Sequence, residues 1–158
     1  MSLEKEVKLL RNISMFSNIE VSKLKLLAFA SDWLTFEAGD TLFRQGEMGD
    51  TAYVIIEGEV DIIVEGDEGP VLISKRGKND VIGEIAIFCD VPRTATIRAS
   101  SAEVVTLRIA KDVFMQIVNG HPAVAVEIIR ILADRLTKNT QELSQLKATL
   151  AHLEKDGS

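Results

Sequence analysis

The chain has 158 residues, 46% hydrophobic and 27% charged, which suits one domain with a proper core and excludes a disordered or fibrous class. Eighteen basic against 24 acidic residues give a formal charge of −6, which argues against a nucleic-acid surface, and no apolar run approaches the roughly 18 residues of a membrane span. Cys89 is the single cysteine, the start MSLEKEVKLL is too charged for a secretory signal, and His121 and His152 lie far apart, so a reducing cytoplasmic setting with no metal or cofactor is expected.

From Leu3 to about Ala30 apolar residues recur at helical spacing: Val7, Leu10 and Met15, then Val21, Leu24, Leu27 and Ala28. Asn18 or Ser22 is the expected cap of the second helix. From Trp33 to Ile109 the period changes to two. WLTF, TLFR, AYVII, EVDIIV, VLIS, TIRAS and EVVTLRI read as short strands. Turn signals separate them at Gly39-Asp40, Gly46, Gly49-Asp50 and Gly58, and the Gly66 to Pro70 stretch, within EGDEGP (65–70), reads as a solvated hairpin tip. Short strands with regular glycine turns predict a jelly-roll or similar barrel. The helical period returns at Lys111. A short helix is expected to about Val118, broken by Asn119-Gly120, and Pro122 suits the first turn of a last helix with no stop signal before Asp156-Gly157. Its first turns should pack on the barrel through residues such as Val126 or Ile128. The predicted class is α+β: a double-stranded β-helix (jelly-roll) barrel flanked by short N-terminal helices and a long C-terminal one.

The segment VIGEIAIFCDVPRTATIRA, residues 81–99, interrupts the strand pattern. Gly83 removes a side chain where backbone must approach something closely. Glu84 to Ile87 can form one helical turn whose first N–H groups lack intrahelical partners. Nine residues past Glu84, Arg93 follows Pro92 and precedes the small residues Thr94, Ala95 and Thr96. An arginine can take a phosphate in bidentate fashion, and small neighbours let the backbone come close. Taken alone, Arg93 reads better as a surface partner of Asp90, while for Glu84 a helix N-terminal charge and a ligand contact can coexist.

Together these residues resemble the phosphate-binding cassette of cyclic-nucleotide-binding domains, as in catabolite activator protein, protein kinase A regulatory subunits and cyclic-nucleotide-gated channels. Gly83-Glu84-Ile85-Ala86 and Pro92-Arg93-Thr94-Ala95-Thr96 match its two halves. Residues 39–47 (GDTLFRQGE) and 49–53 (GDTAY), with Gly58, match the early strands and turns. The resemblance runs from about Phe16 to Leu146. Asn79-Asp80 stands where many members have Gly-Asp, and asparagine tolerates the left-handed backbone such a turn requires.

The resemblance implies a role for each matching position. Glu84 accepts from the ribose 2′-hydroxyl, Arg93 pairs with the cyclic phosphate, and the backbone of Gly83, Ile85, Ala86 and Ala95 completes the phosphate cradle with the Thr94 hydroxyl. Ile62, Ile73 and Ile82 fall where the family lines the base and sugar pocket. In the catabolite-activator branch the long helix adds polar contacts to the base, at positions matching Asn139 and Thr140. Threonine after the cassette arginine is associated in the family with cyclic GMP, yet cyclic AMP binders also carry it. The expectation leans to cyclic AMP with tolerance for cyclic GMP.

In the last helix Ile129, Leu136, Leu143 and Leu150 recur every seven residues, with Leu132, Asn139, Leu146 and Leu153 three further on. This a/d pattern, with Glu142 and Lys147 at g and e, predicts a parallel coiled-coil homodimer; Asn139 can equally serve to fix register. The domain reading is a barrel with its N-terminal helices at 1–134 and a helical extension at 135–156. The expected function is a non-catalytic cyclic-nucleotide-binding sensor acting on a downstream effector protein, with no direct nucleic-acid or membrane contact. The alternative is the truncated ligand-binding half of a Crp-type transcription regulator, with the sequence ending before a helix-turn-helix. A cupin-type enzyme needs a histidine and carboxylate cluster, and the strands hold no histidine.

Overall fold

Period-two patterning between 32 and 110 resolves into eight strands in a computed structural model that describes residues 2–156. These are β1 (Asp32–Glu37), β2 (Thr41–Phe43), β3 (Thr51–Glu57), β4 (Val60–Gly66), β5 (Gly69–Arg76), β6 (Val81–Ile82), β7 (Thr96–Ala99) and β8 (Glu103–Ala110). They form two antiparallel four-stranded sheets, ordered β1-β8-β3-β6 and β2-β7-β4-β5. The expected jelly-roll barrel with flanking helices is the observed fold.

The almost unbroken apolar run of β3 follows from burial on both faces. Ala52, Val54 and Ile56 point to a core shared with the helices, while Tyr53 and Ile55 point into the barrel with Ile82, Ile97 and Val104. The β4–β5 hairpin closes Gly66 against Gly69, leaving Asp67 and Glu68 at its tip as expected. Its register slips between Ile62 and Ile63, so Ile73 falls out of the pairing. Asn79 adopts φ 74°, the left-handed turn its side chain tolerates.

Five helices flank the sheets: α1 (Leu3–Arg11), α2 (Val21–Ala30), α3 (Glu84–Cys89), α4 (Lys111–Gly120) and α5 (Pro122–Asp156), with a single 3-10 turn at Ser14–Phe16. The start of α2 corrects the sequence reading. Neither Asn18 nor Ser22 caps it; the N-cap position falls on Glu20, which makes no side-chain cap hydrogen bond, and its carbonyl accepts the first intrahelical bonds from the Lys23 and Leu24 amides at 3.0 Å. Helix α4 runs through Asn119 to Gly120 instead of ending at Val118, because the poor helix formers sit in the last turn, where little propensity is at stake. Pro122 opens α5 as expected; Gly157, the expected stop, lies outside the described residues. On α5 the buried face is Val124 and Ile128 followed by half-buried Ile131 and Leu132, whereas Val126 is exposed, half a turn away. From Leu136 onward the residues described on this helix are exposed.

Candidate ligand-binding site

Gly83 ends the short strand β6 at φ 83° and starts α3. A Cβ there would stand 2.6 Å from Arg93 Nη1 and 3.2 Å from the Thr51 carbonyl, so both the backbone angle and the space call for glycine. Helix α3 is half a turn longer than the single turn expected, and Asp90 terminates it at φ 52°. Ala86 and Ile87 are buried under it, while Ile85, Phe88 and Cys89 are exposed.

Arg93 arrives from the loop before β7. That loop is pinned to the segment after β2: the Gly46 amide donates to the Arg93 carbonyl and the Arg93 amide to the Glu47 carbonyl, both at 2.8 Å. The Arg93 side chain is 5% exposed. Its Nη1 donates to the Gly83 carbonyl at 3.0 Å, and its Nη2 donates to the Thr51 carbonyl at 2.9 Å and Thr51 Oγ1 at 3.1 Å. The guanidinium lies 4.0 Å from the centroid of the Phe43 ring. Gly49 admits it, since a Cβ there would fall 2.2 Å from Arg93 Nε. Burial pushes the guanidinium pKa down, against the raising fields of Tyr53, Asp50, Glu47 and Glu84. No ion pair to Asp90 forms among the described residues.

Glu84 is also 5% exposed, a burial unusual for a carboxylate without a partner. The partner is Arg135 of α5, whose Nη1 donates to Glu84 Oε1 at 2.6 Å and whose Nη2 donates to the Val81 carbonyl at 3.1 Å. Arg135 continues the buried face of α5 four and three residues past Ile131 and Leu132, which explains why this arginine reaches the cassette. Together with Met15, Phe114 and Ile128 it closes a cavity of about 10 Å³ behind Glu84. At the end of β5, half-buried Arg76 lies within the electrostatic range of Glu84, Asp80 and Arg135. Neither Arg76 nor Arg135 was singled out by sequence.

The fold thus brings Gly83, Glu84, Ile85, Ala86, Arg93, Thr94 and Ala95 into one cassette. Ala95 is buried and Thr94 exposed. Ile82 is buried in the barrel and Ile62 packs against the same cluster. Ile73 is 58% exposed and outside both core clusters. Asn139 and Thr140 are exposed on α5, one turn or more beyond Arg135, with Thr140 Oγ1 donating to the Leu136 carbonyl at 2.8 Å. Among the described residues no hydrogen bond or ion pair ties them to the cassette within one chain, and the helix reaches it through Arg135 instead. Among the described residues no group of three potential metal ligands occurs.

Chemically, the site offers a buried guanidinium with neutral hydrogen-bond partners, a buried carboxylate, and small residues between them. That combination can receive an anion and a hydroxyl side by side, which defines a ligand-binding barrel. The family model described as cyclic nucleotide-binding domain matches residues 33–121. A CRP-like cAMP-activated global transcriptional regulator of Mycobacterium tuberculosis is 30% identical over 139 residues, 87% of this chain and 62% of the regulator. The chain therefore spans less than two thirds of the length of that relative. The structure of a cyclic nucleotide-binding-like protein from Brucella abortus shares 32% identity at a TM-score of 0.61, over 73% of this chain and 98% of the other. The sensor domain of the transcriptional regulator DNR from Pseudomonas aeruginosa matches at TM-score 0.75 and 22% identity, over 89% and 94% of the two chains, a likeness of fold. The chain belongs to the cyclic nucleotide-binding domain family.

Proposed function

We propose that the chain is a non-catalytic sensor module that binds a 3′,5′-cyclic purine nucleotide, cyclic AMP or cyclic GMP, at the cassette of α3 and the Arg93 loop. The observation that carries this reading is the arrangement of Arg93 and Glu84, both 5% exposed, on either side of Gly83. Arg93 takes the cyclic phosphate, exchanging part of its hold on the Gly83 and Thr51 carbonyls for a charged acceptor. Glu84 accepts from the ribose 2′-hydroxyl, in competition with Arg135. Backbone amides of Ile85, Ala86 and Ala95 with the Thr94 hydroxyl complete the phosphate contacts, and Ile62, Ile73 and Ile82 line the sugar and base. No further cofactor is needed.

Because Arg135 joins Glu84 to α5, a ligand that draws on Glu84 changes the free energy of the helix position, the requirement for any conformational signal. The exposed leucines Leu136, Leu143, Leu146, Leu150 and Leu153 give α5 an apolar stripe that suits a parallel homodimer through 135–156, with Asn139 and Thr140 brought to the bases across the pair. A downstream effector, or further domains of a longer Crp-type regulator, would read the helix. The likeness to a CRP-like transcriptional regulator supports that second form. No helix among the described residues is long and apolar enough to cross a membrane, in keeping with a cytoplasmic sensor.

Equilibrium titration with cyclic AMP and cyclic GMP, paired with sedimentation of the full chain and of a chain cut before Leu136, tests the reading. Saturable binding, with a dimer only in the full chain, is expected. Absence of binding to either nucleotide overturns the sensor reading, and a monomeric full chain overturns the coiled coil.

A further inference from the structure

Phe43 ends β2 opposite Ile97 of β7, and its half-buried ring packs on the apolar cluster inside the barrel. The ring is itself held in place. Its centroid lies 5.9 Å from that of Tyr53, and Tyr53 in turn stands edge-on to Phe36 at 6.5 Å. The Arg93 guanidinium lies over the Phe43 ring, 4.0 Å from its centroid. A Cβ on Gly83 would stand 3.4 Å from Phe43 Cε2, so the ring also reaches the start of α3. Phe43 therefore touches the Arg93 side of the cassette and borders its Gly83 side.

The three hydrogen bonds of the Arg93 guanidinium run from Nη1 and Nη2, and the N–H donors of a guanidinium lie in its plane. Those bonds hold its edge and leave the tilt of the plane open. A ring against one face removes that tilt and takes the place of water there. The ring face is the negative end of an aromatic quadrupole, and a cation withdrawn from water gains most from it. Burial pushes the Arg93 pKa down, and the ring works against that effect. An aliphatic side chain can fill the same space without any preference for a cation. We propose that Phe43 is a positioning residue for nucleotide binding: its ring fixes the plane of the Arg93 guanidinium before the ligand arrives. Affinity gained this way comes from ordering completed before binding. The inference rests on the reading that Arg93 takes the phosphate of a cyclic nucleotide.

The test pairs calorimetric titration with nitrogen-15 spectra of the arginine Nε–H groups, on the full chain, Phe43→Leu and Phe43→Tyr. The ligands are cyclic AMP, cyclic GMP and 2′-deoxy cyclic AMP. In the native chain the Arg93 Nε–H proton, identified by its loss in Arg93→Lys, should resonate upfield of the other arginines because it lies over a ring. In Phe43→Leu it should return to the ordinary range. Both ribose nucleotides should then bind about tenfold more weakly, the scale of one desolvated cation–ring contact, with the preference for ribose over 2′-deoxy unchanged. Phe43→Tyr keeps the ring and should bind within about twofold of the native chain. Should Phe43→Leu not fold, Phe43→Met and the native Arg93 signal decide. Unchanged affinity in Phe43→Leu, an equal loss in Phe43→Tyr, or a native Arg93 signal in the ordinary range overturns the proposal. A loss confined to the ribose preference also overturns it, placing the ring on the sugar. Any of these outcomes in a native chain that binds nucleotide strikes this inference alone. Failure of the native chain to bind either ribose nucleotide strikes the sensor reading itself, and this inference with it.

Discussion

Arg93→Ala separates what the guanidinium does for the fold from what it does for a ligand. The side chain donates three hydrogen bonds of 2.9 to 3.1 Å and lies over Phe43. Truncation deprives the Gly83 and Thr51 carbonyls of these donors, at about 1–3 kcal/mol for each acceptor left buried. Loss of the ring contact adds about 1–2 kcal/mol. Relief from desolvating a cation, the effect that pushes its pKa down, works the other way. The net expectation is a loss of about 2–4 kcal/mol, which for a chain of this size lowers the unfolding midpoint by about 5–15 °C. Thermal unfolding followed by circular dichroism, without ligand and with a cyclic nucleotide, reads both roles at once. Ligand at a hundred times its Kd should stabilise the native chain by about 2.7 kcal/mol, and should stabilise the variant by little or nothing. A variant that melts with the native chain and still responds fully to nucleotide would refute the placement of Arg93 in both roles.

Four further substitutions probe the same site. Gly83→Ala sets a Cβ 2.6 Å from Arg93 Nη1 at a left-handed backbone position, so stability should drop by about 1–2 kcal/mol and nucleotide affinity by tenfold or more, as measured by unfolding and titration. Native protein should bind a 2′-deoxy cyclic nucleotide much more weakly than its ribose form, and Glu84→Ala should make the two nearly equal; a preference retained in the variant moves the sugar contact elsewhere. Arg135→Ala leaves Glu84 buried without its partner and should destabilise the ligand-free chain by about 3 kcal/mol in denaturant unfolding. Most of that loss should be regained in Arg135→Ala with Glu84→Gln, and a strictly additive double variant would show that the pair does not interact.

The barrel was legible because its strands carry a local period and its turns carry glycines at local spacing. The cassette was legible because its residues lie within one stretch of sequence, from Gly83 to Thr96. The left-handed turn at Asn79 followed from the chemistry of one side chain. What stayed hidden depends on phase and long-range closure. Glu84 and Arg135 are 51 residues apart, and their bond exists only because α5 folds back with Val124, Ile128 and Leu132 into the core that the helices share with one sheet. The heptad pattern drew attention to the outer leucines of α5 and away from the inner face that Arg135 extends. An error of half a turn made Val126 look equivalent to Ile128, although one is 52% exposed and the other 5%. Arg76 was overlooked because a charge at the end of an exposed hairpin strand ordinarily faces water. The cap of α2 was misplaced because the helix starts after Glu20 with no side-chain cap hydrogen bond, so no capping residue marks its start.

The central claim, that a cyclic nucleotide sits between Glu84 and Arg93, is tested most directly by titrating nitrogen-15-labelled protein and mapping the amide shifts. Saturable changes should be largest at Gly83 to Ile87 and Arg93 to Thr96, with a smaller response near Arg135 as Glu84 is drawn to the ribose. Saturable binding that leaves these amides unmoved, or spectra that do not change with either nucleotide, would contradict it.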